Sequence, residues 1–210
     1  MANRPTGTAT DPAMTDRPSA ENVAQRKKAF FDALRVESDI WVFGYGSLMW
    51  NPGFDHAESR PALLHGWHRA FCVYSHRYRG TPECPGLVLG LDRGGSCRGM
   101  AFRVARAHAL DVLDYLWDRE MVNGVYTPRI LHPATDGGPV PCHAFTVDRS
   151  HYQYAGRLGE DEMVRLICQG VGKGGHNRDY LANTVRQLDE LGIGDGPLHR
   201  LLALIRLSGG

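Results

Sequence analysis

Two groups of residues in this chain have the types and the placement to do chemistry. The first is the run Trp41-Val42-Phe43-Gly44-Tyr45-Gly46-Ser47-Leu48-Met49-Trp50, a hydrophobic strand that ends in two glycines one residue apart, with a serine directly after them. Glycine has no Cβ, so main-chain N–H groups there can approach a bound group closely. Successive N–H groups in such a turn form a concavity that favours negative charge. The turn is therefore fit to hold a carboxylate, a phosphate or a developing oxyanion, and Ser47 adds a hydroxyl donor. Taken alone, the two glycines also fit an ordinary strand-ending turn.

The second group centres on Glu120, in Leu116-Trp117-Asp118-Arg119-Glu120-Met121, where a helical pattern runs out before Asn123-Gly124. A carboxylate at a helix C-terminus meets the negative end of the helix dipole. Trp117 and Met121 would desolvate it. Both effects raise a carboxyl pKa and suit it to proton transfer near neutrality. A surface glutamate paired with Arg119 is the competing reading. Tyr126 and Tyr154 are two further candidates, each able to hydrogen-bond a substrate and each equally consistent with a core aromatic.

Other patterns carry less. Gly170-Val171-Gly172-Lys173-Gly174-Gly175 fits G-x-G-x-x-G but falls between two helical patterns, without the preceding strand of a dinucleotide site. No Ser or Thr follows Lys173, so it is not a phosphate loop of the Walker type. The ten histidines include no H-E-x-x-H motif, and no metal site is expected. Ser47 lacks the G-x-S-x-G elbow of a hydrolase nucleophile.

The elements that must position these residues can be read from periodicity. A helix is expected from a Ser19 cap through Leu34, and a buried strand over Ile40 to Tyr45. Trp67 to Ser75 alternates, with Phe71 and Val73 on one face and Cys72 and Tyr74 on the other. Leu87 to Leu91 and Arg98 to Val104 read as two strands parted by an Asp92-Arg93-Gly94-Gly95 turn. A helix is expected over Arg106 to Trp117, then strands over Tyr126 to Leu131 and Cys142 to Val147, joined by a Gly137-Gly138-Pro139 loop. The last quarter reads as helical: Glu160 to Cys168, a helix capped by Asn177 and stopped by Gly192, and Leu198 to Leu207. Strands followed by helices predict an α+β fold with a closed or strongly curved mixed sheet.

Length and composition bound the rest. A chain of 210 residues can bury one good core. With 24 basic and 23 acidic residues the net charge is +1, so no nucleic acid or membrane partner is implied and a small molecule is the default ligand. No apolar run has transmembrane length, and the N-terminus lacks the apolar core of a secretory signal. Five cysteines, an odd number without C-x-x-C spacing, point to a reducing compartment, and a cytoplasmic location is expected. Residues 1–18 are expected to be a disordered tail, 19–38 a helical extension and 39–210 the main folded domain. Nothing in the sequence sets an oligomeric state.

The segment Val42-Phe43-Gly44-Tyr45-Gly46-Ser47-Leu48 resembles the signature of the gamma-glutamylcyclotransferase fold. The chain as a whole is similar to its ChaC branch, the glutathione-specific gamma-glutamylcyclotransferases. The likeness continues through Arg79-Gly80-Thr81-Pro82, Pro85-Gly86-Leu87, Gly99-Met100-Ala101-Phe102-Arg103, the Leu116 to Met121 run, Gly124-Val125-Tyr126-Thr127-Pro128, Asn177-Arg178-Asp179-Tyr180-Leu181 and Leu191-Gly192-Ile193. The resemblance implies a small mixed β-barrel or curved sheet with flanking helices. It implies cleavage of glutathione to 5-oxoproline and cysteinylglycine without a cofactor, with Glu120 as catalytic base. Residues Val42 to Leu48, Tyr126, Tyr154 and Arg79 would then bind substrate. Ser75-His76-Arg77-Tyr78-Arg79 is more basic and aromatic than the family pattern, which makes it the expected selector of the substrate's tail. The rivals are a cyclotransferase of other γ-glutamyl amino acids or amines, a non-catalytic binding module of the same fold, and a nucleotide binder using Gly170 to Gly175.

Overall fold

The computed structural model describes residues 20–208; the tail over 1–18 and the Ser19 cap lie outside the described residues. Helix α1 spans Ala20–Ala33, and strand β1 spans Ile40–Gly44. A 3₁₀ turn over Ser47–Met49 follows the glycine loop. Strands β2 (Glu58–Ser75) and β3 (Gly86–Val104) form a long hairpin. Helix α2 is Ala109–Glu120, led by a 3₁₀ turn at Arg106–His108. Strands β4 (Tyr126–Leu131) and β7 (Cys142–Val147) pair antiparallel, and two short strands, β5 (Ala134–Thr135) and β6 (Gly138–Pro139), lie between them in sequence. Helix α3 (Glu160–Gln169), a small hairpin of β8 (Val171–Gly172) and β9 (Gly175–His176), and helices α4 (Asn177–Glu190) and α5 (Gly196–Ser208) complete the described chain.

Seven strands make one curled mixed sheet in the order β4-β7-β1-β3-β2-β5-β6. β1 lies inside it, antiparallel to β3 and parallel to β7. Successive side chains of a strand point to opposite faces, so β1 feeds two cores. Ile40 and Val42 join the apolar cluster built on α2 with Val104, Leu113, Leu116 and Trp117. Phe43, and Tyr45 just beyond the strand, join the cluster built on α3, α4 and α5. α1 packs on the α2 side, where the Phe30 ring lies 5.2 Å from that of Trp117. Among the described residues no helix is long and apolar enough to cross a membrane.

The structure corrects several expectations. Leu87 to Leu91 and Arg98 to Val104 belong to one continuous strand, not two. Gly94 and Gly95 have φ of 102° and 66°, and they face Gly66, with φ of 80°, across a register shift between His65 and Trp67. These left-handed residues kink the ribbon as a bulge instead of reversing it. A second shift between Phe71 and Val73 breaks the expected alternation, so Phe71, Cys72 and Val73 are all buried. The expected Gly137-Gly138-Pro139 loop contains the β5–β6 hairpin. Asn177 is not a cap: it is fully buried, and its side chain bonds the main chain of Leu87, accepting from the N–H at 2.6 Å and donating to the carbonyl at 2.8 Å.

Candidate active site

Glu120 is the last residue of α2, and the glycine loop leaves the end of β1. The fold brings them to one pocket, lined by Tyr45, Gly46, Ser47 and Leu48 on one side and by Glu120, Tyr126 and Tyr180 on the other, with Val88, Leu89 and Phe145 as apolar wall. Its volume is about 70 Å³. At roughly 10–15 Å³ for each enclosed water, that space suits one compact, amino-acid-sized head and leaves the rest of a larger ligand outside.

The loop is built for close contact. β1 ends at Gly44, where a Cβ would stand 3.1 Å from the Phe102 ring and 3.2 Å from Leu48 Cβ. The 3₁₀ turn then starts at Ser47, closed by the bond from Met49 N–H to the Gly46 carbonyl at 2.9 Å. The first N–H groups of any helical turn have no acceptor within it, so this turn presents donors beside the Ser47 hydroxyl. Val42 and Phe43 are wholly buried and hold the loop from behind.

Glu120 sits deep, with 19% of its side chain exposed. Burial pushes its carboxyl above the ordinary carboxylate range, and the nearby Arg119 guanidinium pulls partly against that rise. Nε of Arg119 is 3.3 Å from Oε1 of Glu120. Tyr126 donates its phenol proton to the Leu89 carbonyl at 2.7 Å, and Tyr45 donates to the Phe145 carbonyl at 3.0 Å. Burial drives the Tyr45 and Tyr126 phenols well above their usual value and raises Tyr180 to about 12. All three rings therefore face Glu120 uncharged.

Two sequence candidates lie elsewhere. Tyr154 lines a separate cavity of about 660 Å³ between the β2–β3 hairpin and helices α3 and α5. Its hydroxyl donates to Asp92 at 2.8 Å, and Arg149 donates to the same carboxylate at 2.6 Å. Arg79 stands one residue behind the pocket, its guanidinium 5.1 Å over the Tyr180 ring, donating to the carbonyls of Gly174 and His176. Tyr180 itself was missed, because its place on the apolar stripe of α4 reads as core. Leu89 and Phe145 were missed for the same reason. The Gly170 to Gly175 run forms the β8–β9 hairpin, and the N–H groups of Lys173 and Gly174 donate to the carbonyls of Arg77 and Tyr78 at 2.9 and 2.8 Å. Those donors are spent on the chain's own backbone, which removes the physical basis for reading the run as a phosphate loop.

The curled sheet thus sets a glycine loop and a buried carboxyl against one pocket. Residues 40–208 match the family model described as ChaC-like protein, and the chain belongs to that family. It is 36% identical over 189 residues to the glutathione-specific gamma-glutamylcyclotransferase of Escherichia coli, covering 90% of this chain and 82% of that one. It is 33% identical to the protein of the same name from Schizosaccharomyces pombe, covering 79% and 91% of the two chains. A crystal structure of a gamma-glutamyl cyclotransferase specific to glutathione from yeast superposes with a TM-score of 0.74 at 24% identity, over 81% of this chain and 96% of that one, which establishes the shared fold.

Proposed function

We propose that the protein is a glutathione-specific gamma-glutamylcyclotransferase that releases 5-oxoproline and cysteinylglycine. The observation that carries this reading is the shared pocket: Glu120 and the Tyr45 to Leu48 loop line one space sized for a γ-glutamyl head. The relatives from Escherichia coli and Schizosaccharomyces pombe carry that activity in their names.

The substrate supplies its own nucleophile. Its α-amino nitrogen bonds to the γ-carbonyl carbon, closing a five-membered ring, and the bond from that carbon to the cysteinyl nitrogen breaks. Folding the γ-glutamyl group makes the attack intramolecular, and such positioning can remove about 7–11 kcal/mol from a barrier. The loop of Tyr45, Gly46, Ser47 and Leu48 holds the group folded, with Tyr126 and Tyr180 opposite. Glu120 takes a proton from the attacking amine and returns one to the departing cysteinyl nitrogen. Its raised pKa suits both halves of that exchange. The tetrahedral intermediate bears an oxyanion, and preorganised donors can stabilise it without reorganising. The apolar wall of Leu48, Leu89 and Phe145 keeps water from competing for the carbonyl.

Because the pocket encloses only the head, the cysteinylglycine portion lies at the rim. Arg79 is the proposed selector of that portion, together with the His76 to Tyr78 segment before it, acting through the Tyr180 ring against which its guanidinium stacks. On this reading residues 39–210 form the catalytic unit and α1 is an extension packed on it. The five unpaired cysteines fit a reducing, cytoplasmic setting. The direct experiment incubates purified protein with reduced glutathione and assays 5-oxoproline and cysteinylglycine. Equal amounts of the two are expected, and the absence of both sinks the reading. A panel of other γ-glutamyl amino acids and amines, run alongside, reads the selectivity set at the rim.

A further inference from the structure

Arg119 has no part in the chemistry above, yet its guanidinium touches both halves of the site. Nη2 donates to Ser47 Oγ at 2.9 Å, and Nε lies 3.3 Å from Glu120 Oε1. Nη1 donates to the Asn51 carbonyl at 2.8 Å and to the Tyr115 hydroxyl at 2.9 Å, with the Pro52 carbonyl at 3.2 Å. The side chain is 20% exposed. We propose that Arg119 is the positioning residue of this site, fixing the Glu120 carboxylate and turning the Ser47 hydroxyl so that its hydrogen faces the pocket. The proposal rests on the cyclotransferase reading for what is positioned, and on geometry alone for how.

The chemistry of the two side chains supports this. Arginine has five donors in a rigid fork and no acceptor. A serine oxygen that accepts from it keeps its own hydrogen for another partner, and Ser47 lines the pocket. Exposed neighbouring ion pairs contribute little. This one differs because the same fork also grips the 51–52 backbone, so the base, the serine and the loop end move as one body. The titratable groups facing Glu120 are Tyr45 from the glycine loop, Tyr126 from β4 and Tyr180 from α4, all neutral, and Arg119 from its own helix. Arg119 thus supplies the charge that offsets the burial of Glu120. A lysine ammonium is a single point charge and cannot span these partners.

The test compares wild-type protein with Arg119→Gln, Arg119→Lys, Ser47→Ala and the Ser47→Ala/Arg119→Gln pair. Each is assayed for kcat and KM with glutathione across pH, and Glu120 is titrated directly by NMR of a carbon-13-labelled side chain. For Arg119→Gln, kcat should fall on the order of 100-fold, the size of effect that follows when a catalytic group is displaced by about 1 Å. The acid limb of its profile and the Glu120 titration should both move to higher pH, because a positive charge that favoured the carboxylate is gone. Arg119→Lys should keep the limb near its wild-type place and still lose turnover. Ser47→Ala should add little once Arg119 is replaced, since the two act as one unit. Wild-type kcat with an unmoved limb in Arg119→Gln, or full additivity with Ser47→Ala, would overturn the proposal. If Arg119→Gln does not fold, wild-type kcat in Arg119→Lys overturns it instead. Absence of 5-oxoproline from the wild-type protein refutes the cyclotransferase reading. The substrate-free titration still judges Arg119 in that case, and an unmoved Glu120 in Arg119→Gln counts against it.

Discussion

Glu120 serves catalysis at the expense of stability. Its carboxyl is buried at the end of α2, and burial outweighs the attraction of Arg119, so folding raises its pKa and penalises the charged form. Replacing it with Gln removes the proton acceptor and should lower turnover by about 10²–10⁴-fold, the usual range for a lost general base. The same variant should resist unfolding better than wild type at neutral pH. The sign follows from linkage: a carboxyl whose folded pKa is raised loses stability as pH climbs from its unfolded value through its folded one. Below the ordinary carboxylate range the two proteins should therefore unfold alike, and above it Glu120→Gln should pull ahead. Urea titrations at acid and neutral pH check this, and a Gln variant less stable at neutral pH counts against burial as the dominant effect. Ser47→Ala removes one donor and should weaken substrate binding or turnover by about 0.5–1.5 kcal/mol, roughly tenfold at most. At this scale the sequence was most informative where a residue type breaks its local pattern. Glu120 stands out beside Trp117 and Met121, and Ser47 beside two glycines. Tyr180 and Leu89 follow the core pattern of their elements, and only the assembled pocket separates them from core.

The elements matter through how their ends are tied. Along β3, pairing with β1 covers only Met100 to Val104, so the outer edge near Leu87 has no strand beside it. The buried amide of Asn177 covers that edge, with one bond to the Leu87 N–H and one to its carbonyl. This fixes the start of α4, which carries Tyr180 into the pocket one turn later, where Leu89, whose carbonyl holds Tyr126, also lies. Asn177→Ala leaves two buried main-chain groups unpaired and should cost about 1–3 kcal/mol for each. A urea midpoint equal to wild type would show that water or a shifted backbone replaces the amide. Element boundaries were legible where apolar periodicity was uninterrupted, as in β4 and β7, which fall over the expected residues. They were misread where glycine changed the backbone without ending the element. Gly94 and Gly95 look like a hairpin turn in sequence, and only pairing with β2 shows that the strand continues through them. Asn177 reads as a cap because caps are local, whereas its partner Leu87 lies ninety positions away.

Across the whole molecule, one buried ion pair links the last helices to the glycine loop. Arg69 on β2 has 2% of its side chain exposed, and Nη1 donates to Asp195 Oδ2 at 2.8 Å, in the link between α4 and α5. The same guanidinium donates to the Tyr45 carbonyl and, at 2.7 Å, to the Arg98 carbonyl. It therefore pins the sheet, the C-terminal helices and the glycine loop at one point. Asp195 also accepts from the Leu198 N–H at 3.3 Å at the start of α5. Asp195→Ala leaves Arg69 charged in a place that water hardly reaches, and breaking a buried pair from one side costs about 3–5 kcal/mol. Added salt should not recover the loss, because screening acts weakly on buried charges. Activity should fall with stability, since the Tyr45 carbonyl is held by the same group. Replacing both partners together, as Arg69→Met with Asp195→Ala, removes the stranded charge and should restore part of the stability, the remainder being lost with the donors to the Tyr45 and Arg98 carbonyls. It should not restore turnover, because the loop has still lost its tether. Urea unfolding and glutathione cleavage measured on the single and double variants separate the two effects, and turnover that recovers together with stability would show that Arg69 holds the fold and not the loop.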